Sequence, residues 1–414
     1  VTAGRHALAL ATALAALALP TAAESAAAAA PPVPTLRAQA AILVEPATGD
    51  VVLQRNARRP RAVASTTKLM TALLTLERAR LSDVLSAVRY RALPAESIIG
   101  LRAGERLTVA DLLRGLLLAS ANDAAATLAQ RIGGSQRAFV ALMNRRAREL
   151  GLQETHYANP IGLDQAGNRS SAEDLVKLTL ILRRNAFFRA VTDRPAATLR
   201  SGARVRTIAN RNLLVRSVPA VNGVKTGHTR DAGYVLVGSA TAHGVTVVSA
   251  VLGEPGEAAR DADSLALLRY GLSRYAVASA VRRGRPYAQV GLTHRSERPE
   301  LVAARDVRRV VRRGERFELR EVGVPHEIDG PLPAGSQLGT LEVHWRGRVI
   351  ARVPLVTREA IGGATVLQRA DDLLAHTAVV VALAVVALAS LQLVLLRRRA
   401  VRRRRRRPDP TGIA

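Results

Sequence analysis

The chain has 414 residues, room for two or three domains, and no cysteine, which excludes disulfides, thiolate metal sites and a cysteine nucleophile. Its 61 Lys and Arg against 33 Asp and Glu give a formal charge of +28, and nine of those Arg lie between Arg397 and Arg407. The remaining surplus is dispersed Arg with only 3% aromatics, which is not the pattern of a nucleic-acid-binding surface, so no nucleic-acid partner is expected.

Both ends of the chain read as location signals. Arg5 and His6 precede the apolar run Ala7 to Leu19, and Pro20 and a tract of small residues follow, as in a secretory signal peptide over residues 1–30. Pro31, Pro32 and Pro34 then mark a stiff linker over 31–37. Far downstream, Thr377 to Leu396 carries no charge, and at about 1.5 Å per residue it matches a bilayer core of roughly 30 Å. The Arg cluster of residues 397–414 comes directly after it. That order predicts a single transmembrane helix with a cytoplasmic C-terminus, a tail held to anionic lipid, and a body on the extracytoplasmic side.

Between these ends, Ala41 to Val44, a turn over Pro46 to Asp50 and Val51 to Leu53 predict a β-hairpin. It leads into Ala64-Ser65-Thr66-Thr67-Lys68-Leu69-Met70. Only three residues of the whole chain are lysines: Lys68, Lys177 and Lys225. An amine can give up its proton and a guanidinium in practice cannot, so a chain that otherwise uses Arg keeps Lys where that difference matters. Leu69, Ala72, Leu73 and Leu76 recur at helical spacing. A helix from about Ser65 puts Lys68 on the same face as the Ser65 hydroxyl, where it can serve as that hydroxyl's base.

Arg80 to Glu105 reads as loop. Thr108 is the expected N-cap of the next helix, with Asp111 in an Asp version of the capping box. Ser120-Ala121-Asn122 separates the apolar run ending at Ala119 from a second helical run over Ala124 to Ile132, and so forms a polar tip on a rigid mount. Further helices are expected over Phe139 to Leu150, from Ser171 onward with Lys177 on a solvated face, and over Arg260 to Leu272. Lys225-Thr226-Gly227 falls where an edge strand begins, with Gly227 allowing close backbone approach to a ligand. The order Lys-Thr-Gly excludes a P-loop, which needs Gly-Lys-Thr. Short strands with turn residues between them follow, as expected of a small all-β domain over about 281–357.

Three motifs thus stand in one order: Ser65-x-x-Lys68, Ser120-x-Asn122 and Lys225-Thr226-Gly227. The set resembles penicillin-binding proteins and class A β-lactamases. Within them the chain resembles the low-molecular-mass D-alanyl-D-alanine carboxypeptidases. Asn159-Pro160-x-Gly162-Leu163 with Ser171-Ala172-x-Asp174 extends that likeness, as do Gly223 to Gly233 and Pro331 to Pro354, so that it covers about 38–357. One departure is that better-known members carry an amphipathic C-terminal anchor lying on the membrane, in place of a true span.

The resemblance implies an α/β fold: a β-lactamase/transpeptidase-like domain, an antiparallel sheet flanked by helices, over 38–277, then the small β domain over 281–357. A linker over 358–376 and the transmembrane helix over 377–396 complete the expected layout. It also implies a reaction in which Ser65 attacks the carbonyl between two D-alanines of a peptidoglycan stem pentapeptide. Lys68 is the implied base, its pKa lowered by burial and by Lys225, and Ser120 the proton relay to the leaving amine. Asn122 is implied to hold the substrate backbone. Lys225, Thr226 and Arg260 are implied to receive the terminal carboxylate, beside Gly227. Backbone N–H groups of Ser65 and His228 are implied to form the oxyanion hole. Penicillin is expected to acylate Ser65. No metal or cofactor is called for, and the eight His show no ligand spacing.

Three alternatives stay open. A cross-link DD-endopeptidase shares the motifs. A class A-like β-lactamase needs a deacylating Glu-x-x-Leu-Asn loop that is missing near Asn159, and has Asp in the middle of its Ser-x-Asn. A membrane β-lactam sensor needs more than the 18 residues after Leu396.

Overall fold

The computed structural model describes residues 31–375 and 377–404; the expected signal peptide and the last ten residues of the Arg-rich tail lie outside the described residues. A five-stranded antiparallel sheet forms the centre. Its strands are β1 (Ala40–Glu45), β2 (Asp50–Arg55), β3 (Val221–Thr229), β4 (Gly233–Ala242) and β5 (Val245–Glu254), in the order β2-β1-β5-β4-β3. β4 and β5 read as near-continuous apolar and small residues because both their faces are covered. His243 and Gly244 join them, both with positive φ as a two-residue hairpin turn requires.

Helices cover the two faces. On one side lie α1 (Lys68–Arg78), α2 (Val109–Leu118), α3 (Asn122–Gly133) and α4 (Ala172–Leu182), which share one core with inward residues of β1, β4 and β5. On the other lies α5 (Glu257–Arg274), packed through Leu267 and Leu268 on Leu43, Leu236 and Val251. Lys68 through Thr75 of α1 are all buried, so this helix is the axis of its layer. The expected hairpin and helices are present, the one over Phe139 to Leu150 as Gln136–Glu149; most have longer bounds than the apolar runs alone gave, while α1 starts later than expected. Lys177 projects from α4 and pairs with Glu173 one turn away at 2.8 Å.

Four local expectations change. Ser65 lies in a 3-10 turn, Ala64–Thr67, and the α-helix starts only at Lys68. Thr108 does cap α2, accepting from Asp111 N at 3.2 Å, but the Asp111 carboxylate does not close a capping box. It accepts instead from Arg200 N, Ser201 N and Ser201 Oγ at 3.0, 2.9 and 2.6 Å, tying down a distant loop. Lys225 to Gly227 sit in the middle of edge strand β3, not at its start. Finally, Gly227 meets the chain itself: a Cβ there would lie 2.9 Å from Ser65 N and 3.0 Å from Ala64 Cβ.

A second close approach grips the same turn from the loop side. Gly162 has φ +91°, and a Cβ on it would lie 2.1 Å from Ala64 O. Asn159 Oδ1 accepts from Ile161 N and Gly162 N at 3.1 and 2.7 Å, which shapes the loop, and Thr71 Oγ1 donates to Pro160 O at 2.7 Å, which docks it on α1.

After Arg274 the chain passes without a break into β6 (Tyr275–Val281). The strands β7 (Pro286–Gln289), β8 (Glu300–Ala303), β9 (Val307–Arg312), β10 (Glu318–Val322), β11 (Gln337–Trp345) and β12 (Arg348–Thr357) follow. β6 pairs with β9, and a second sheet runs β7-β8-β12-β11-β10 over its own core, including Leu301, Leu341, Val343, Val353 and Leu355. Arg346, in the turn after β11, reaches back to the first sheet. Its guanidinium donates to both carboxylate oxygens of Asp50 at 2.6 and 2.7 Å, pairs with Glu315 at 2.7 Å and lies 4.3 Å over the Trp345 ring. Tyr275 Oη also donates to Asp50, at 2.8 Å. Beyond these strands, α6 (Val366–Ala375) precedes α7 (Thr377–Arg404), whose stretch Ala378–Arg402 is long and apolar enough to cross a membrane; its 18-residue apolar window has a mean hydropathy of 2.8 and none of that window is buried.

Arg346→Ala is expected to lower the unfolding temperature by several degrees. The loss is about 1–2 kcal/mol, kept small because both partners are partly exposed and solvent screens them. Asp50→Asn added to it should cost little more, as a double-mutant cycle will show. The Arg346 bonds hold the Asp50 carboxyl at about 2 against its ordinary 3.8. This contribution is therefore complete above about pH 4 and fades as the pH falls toward 2, which acid titration of the wild type against Arg346→Ala will measure. Gly162→Ala places a methyl against Ala64 O in a backbone region L residues avoid. A destabilisation of at least about 1–3 kcal/mol by thermal unfolding is expected.

Candidate active site

The cleft lies where edge strand β3 passes the start of α1 and the tip between α2 and α3. The 3-10 turn has three residues per turn, so residues i and i+3 eclipse. Lys68 Nζ accordingly lies over the Ser65 hydroxyl and donates to Ser65 Oγ at 2.8 Å, and its second bond goes to Ile161 O at 2.6 Å. The loop that grips the turn therefore also holds the amine. Lys68 is fully buried, and chiefly because of that burial its pKa comes down to about 7. Among the charges, Glu96 and Asp123 raise it and Arg211 lowers it. Arg211 is thus a cation acting on Lys68 that the sequence reading did not name, and it acts beside the mutual repulsion of Lys68 and Lys225.

A second lysine–serine pair stands opposite. Ser120, with φ +60°, forms the corner between α2 and α3, and Lys225 Nζ donates to Ser120 Oγ at 2.9 Å and to Thr226 O at 2.8 Å. Lys225 is 1% exposed. Burial holds it well below the usual lysine value, with Lys68, Arg211 and Arg260 adding to the effect. Both amines are out of water and each sits on a serine hydroxyl, and Lys68, at about 7, can exchange a proton with its hydroxyl near neutral pH.

Asn122, the first residue of α3, donates its backbone N–H to Ser97 O and its Nδ2 to Glu96 Oε2, both at 2.7 Å. Thr226 is buried, and Gly227 brings β3 against the Ser65 backbone as described. His228 is exposed and stacks on Tyr234 across the β3–β4 ladder, ring centroids 4.0 Å apart. Arg260 is electrostatically near Lys225, but its guanidinium is 3% exposed and engaged with Glu257 at 2.9 Å and Asp261 at 2.8 Å. Arg211 on this side is exposed and shows no ion pair among the described residues. It lines a groove of about 800 Å³ with Ala119, Arg204, Arg216 and Glu257.

The structure therefore brings Ser65, Lys68, Ser120, Asn122 and Lys225 to Gly227 to one cleft. It adds Glu96, Asp123, Arg211 and the Ile161 carbonyl, which the sequence reading had not assigned. Asp123 directly follows Asn122 and Arg211 sits in Asn210-Arg211-Asn212, yet neither stretch shows by itself what its side chain faces.

Comparison with known proteins points to one family. Residues 25–256 match the profile of the peptidase S11 family, D-alanyl-D-alanine carboxypeptidase. The chain is 32% identical over 331 residues to the D-alanyl-D-alanine carboxypeptidase DacF of Bacillus subtilis, covering 78% of this chain and 85% of that one. Among solved structures, penicillin-binding protein 5 of Haemophilus influenzae superposes with a TM-score of 0.58 at 27% identity, over 80% of this chain and 98% of its own. The Streptomyces K15 DD-transpeptidase superposes with a TM-score of 0.55 at 32% identity, over 58% of this chain and 98% of its own. With more than half of the chain matched by the family profile, and with the two lysine–serine pairs in place, this chain belongs to the D-alanyl-D-alanine carboxypeptidase family of serine peptidases.

Proposed function

We propose that the chain removes the terminal D-alanine of peptidoglycan stem pentapeptides through an acyl-enzyme on Ser65. The observation that carries this reading is the Lys68 amine, buried, close to neutral in value and 2.8 Å from the Ser65 hydroxyl. Neutral Lys68 takes the hydroxyl proton as Oγ attacks the carbonyl of the penultimate D-Ala. The oxyanion is received by the backbone N–H groups of Ser65 and His228, and one such donor is typically worth about 2.7–4 kcal/mol. Ser120, bonded to Lys225, passes a proton to the departing amine, and the C–N bond breaks. Water then attacks the ester and releases the shortened peptide, returning Ser65 to its free form.

Asn122 holds the substrate backbone. Lys225 and the Thr226 hydroxyl receive the terminal carboxylate beside Gly227. Arg260, with its two carboxylates already bound, contributes through its charge, and exposed Arg211 adds a free cation on the same side. A β-lactam acylates Ser65 by the same attack, its ring nitrogen leaving in place of the D-alanine amine. In place of a loop carboxylate, the loop at Asn159 presents the Ile161 carbonyl to Lys68, which supports a peptidase over a class A-like β-lactamase. The groove beside Ala119 gives a second reading specific support: it leaves room for a leaving group larger than D-alanine, as in cross-link endopeptidase action.

The apolar helix α7 supports membrane anchoring. The Arg run after Leu396 supports a cytoplasmic end held to anionic lipid, with the catalytic body on the extracytoplasmic face.

The test is D-alanine release from a Lys-D-Ala-D-Ala peptide by the detergent-solubilised full chain. Ser65→Ala is expected to abolish release, and Lys68→Arg to reduce both release and penicillin labelling by at least about 100-fold, because Arg keeps the charge and cannot act as the base. Wild-type labelling of Lys68→Arg would remove Lys68 from the mechanism. Because the base must be neutral, kcat/KM should rise with pH through about 7 and fall away below it. Release confined to cross-linked muropeptide would favour the endopeptidase.

A further inference from the structure

Glu96 lies in the stretch 80–105 that the sequence marks only as loop, and among the described residues it is the one carboxylate bonded to a residue of the three motifs. Its Oε2 accepts from Asn122 Nδ2 at 2.7 Å and from Tyr90 Oη, and its Oε1 accepts from Leu93 N at 3.2 Å. Desolvation pushes this carboxyl up, but the bonds from Tyr90, Asn122 and Leu93 N together with the charge of Lys68 outweigh it and keep the group below the usual glutamate range, so it is ionised at neutral pH.

An ionised carboxylate only accepts hydrogen bonds. The amide end that faces it must therefore be the NH2 end of Asn122, whichever way the side chain would otherwise turn. Asn122 Oδ1 then faces away from Glu96 and accepts from no described residue. An acceptor presented in this way suits a peptide N–H. The adjacent Asp123 holds the other half of the same loop, accepting from Ile99 N and Leu101 N at 3.2 and 2.9 Å. Two consecutive side chains at the start of α3 thus clamp the loop as one wall of the cleft, and Glu96 is the clamp that also reaches a substrate-facing group.

We propose that Glu96 is a positioning residue for the reaction: by accepting from Asn122 Nδ2 and Tyr90 Oη it fixes Asn122 with its amide oxygen toward the substrate backbone, while its charge opposes that of Arg211 at Lys68. The inference rests on the reading of Asn122 as a substrate contact. The charged groups acting on Lys68 are Glu96 and Asp123 on one side of the balance and Arg211 on the other, and Lys225 feels Lys68 in turn. Removing Glu96 leaves Arg211 opposed by Asp123 alone and makes neutral Lys68 easier to form.

The experiment is the pH dependence of D-alanine release by the full chain in detergent, for wild type, Glu96→Ala and Glu96→Gln, with Ser65→Ala as the blank. Loss of the charged hydrogen bond should raise KM in Glu96→Ala roughly tenfold, with a smaller change in kcat. Glu96→Gln keeps an oxygen that can accept from Asn122 Nδ2 and should recover most of that KM. Both variants lack the charge, so in both the acid limb of kcat/KM should move to lower pH. The proposal is overturned if KM in Glu96→Ala stays within about twofold of wild type, or if the acid limb is unmoved in both variants. It is also overturned if both lose KM and kcat together with a lowered unfolding temperature, the mark of a scaffold role. Should Glu96→Ala not fold, the acid limb of Glu96→Gln decides. If wild type shows no release beyond the Ser65→Ala blank, the reading of the reaction has failed instead. The Glu96–Asn122 contact is then judged by the side-chain amide signal of Asn122 in 15N-asparagine-labelled protein: a shift in Glu96→Gln keeps it, and an unchanged signal ends it.

Discussion

Everything in this cleft depends on keeping two lysine amines out of water. A charged ammonium costs several kcal/mol to bury, and that cost is what favours the neutral amine needed to take a serine proton. Lys68 and Lys225 are each fully enclosed, each on a serine hydroxyl, and each with a second bond to a backbone carbonyl, Ile161 O and Thr226 O respectively. The carbonyls hold the amines in place without supplying a counter-charge. Tuning is left to longer-range charges, with Glu96 and Asp123 raising Lys68 and Arg211 lowering it. An arginine in place of Lys68 would keep its proton and could not serve as a base.

The scaffold serves this enclosure. A sheet covered on both faces provides a rigid edge strand. Between that strand and the Asn159 loop, the Ser65 turn is held at two points where only glycine fits, Gly227 and Gly162. This grip explains why Ser65 occupies a 3-10 turn instead of an α-helix: the turn must fit between two backbones, and its tighter winding also aligns Ser65 with Lys68.

Farther out, Arg346 fastens the second sheet to the first at Asp50 through a bidentate pair that also stacks on Trp345. Asp50 opens the strand whose partner, β1, pairs with β5 in the central sheet, so the fastening acts on the sheet that carries Lys225. The apolar helix α7 lies beyond this assembly, joined to it through α6.

What the sequence by itself determined is local or compositional. Three lysines among 58 arginines, the order of the three motifs, helical spacing behind Ser65, the hairpin before it and the uncharged run from Thr377 were all legible, because periodicity, propensity and composition act over a few residues. Tertiary structure decided which groups meet. Lys225 reaches Ser120 across 105 residues and Lys68 reaches Ile161 across 93, and no local pattern specifies such partners. For the same reason Glu96 looked like part of a loop; Arg260, by contrast, is engaged by its sequence neighbours Glu257 and Asp261, which the helix α5 brings onto its guanidinium. A side chain's neighbours determine whether its charge is spent or available, and those neighbours exist only once the sheet and the helices have closed around them.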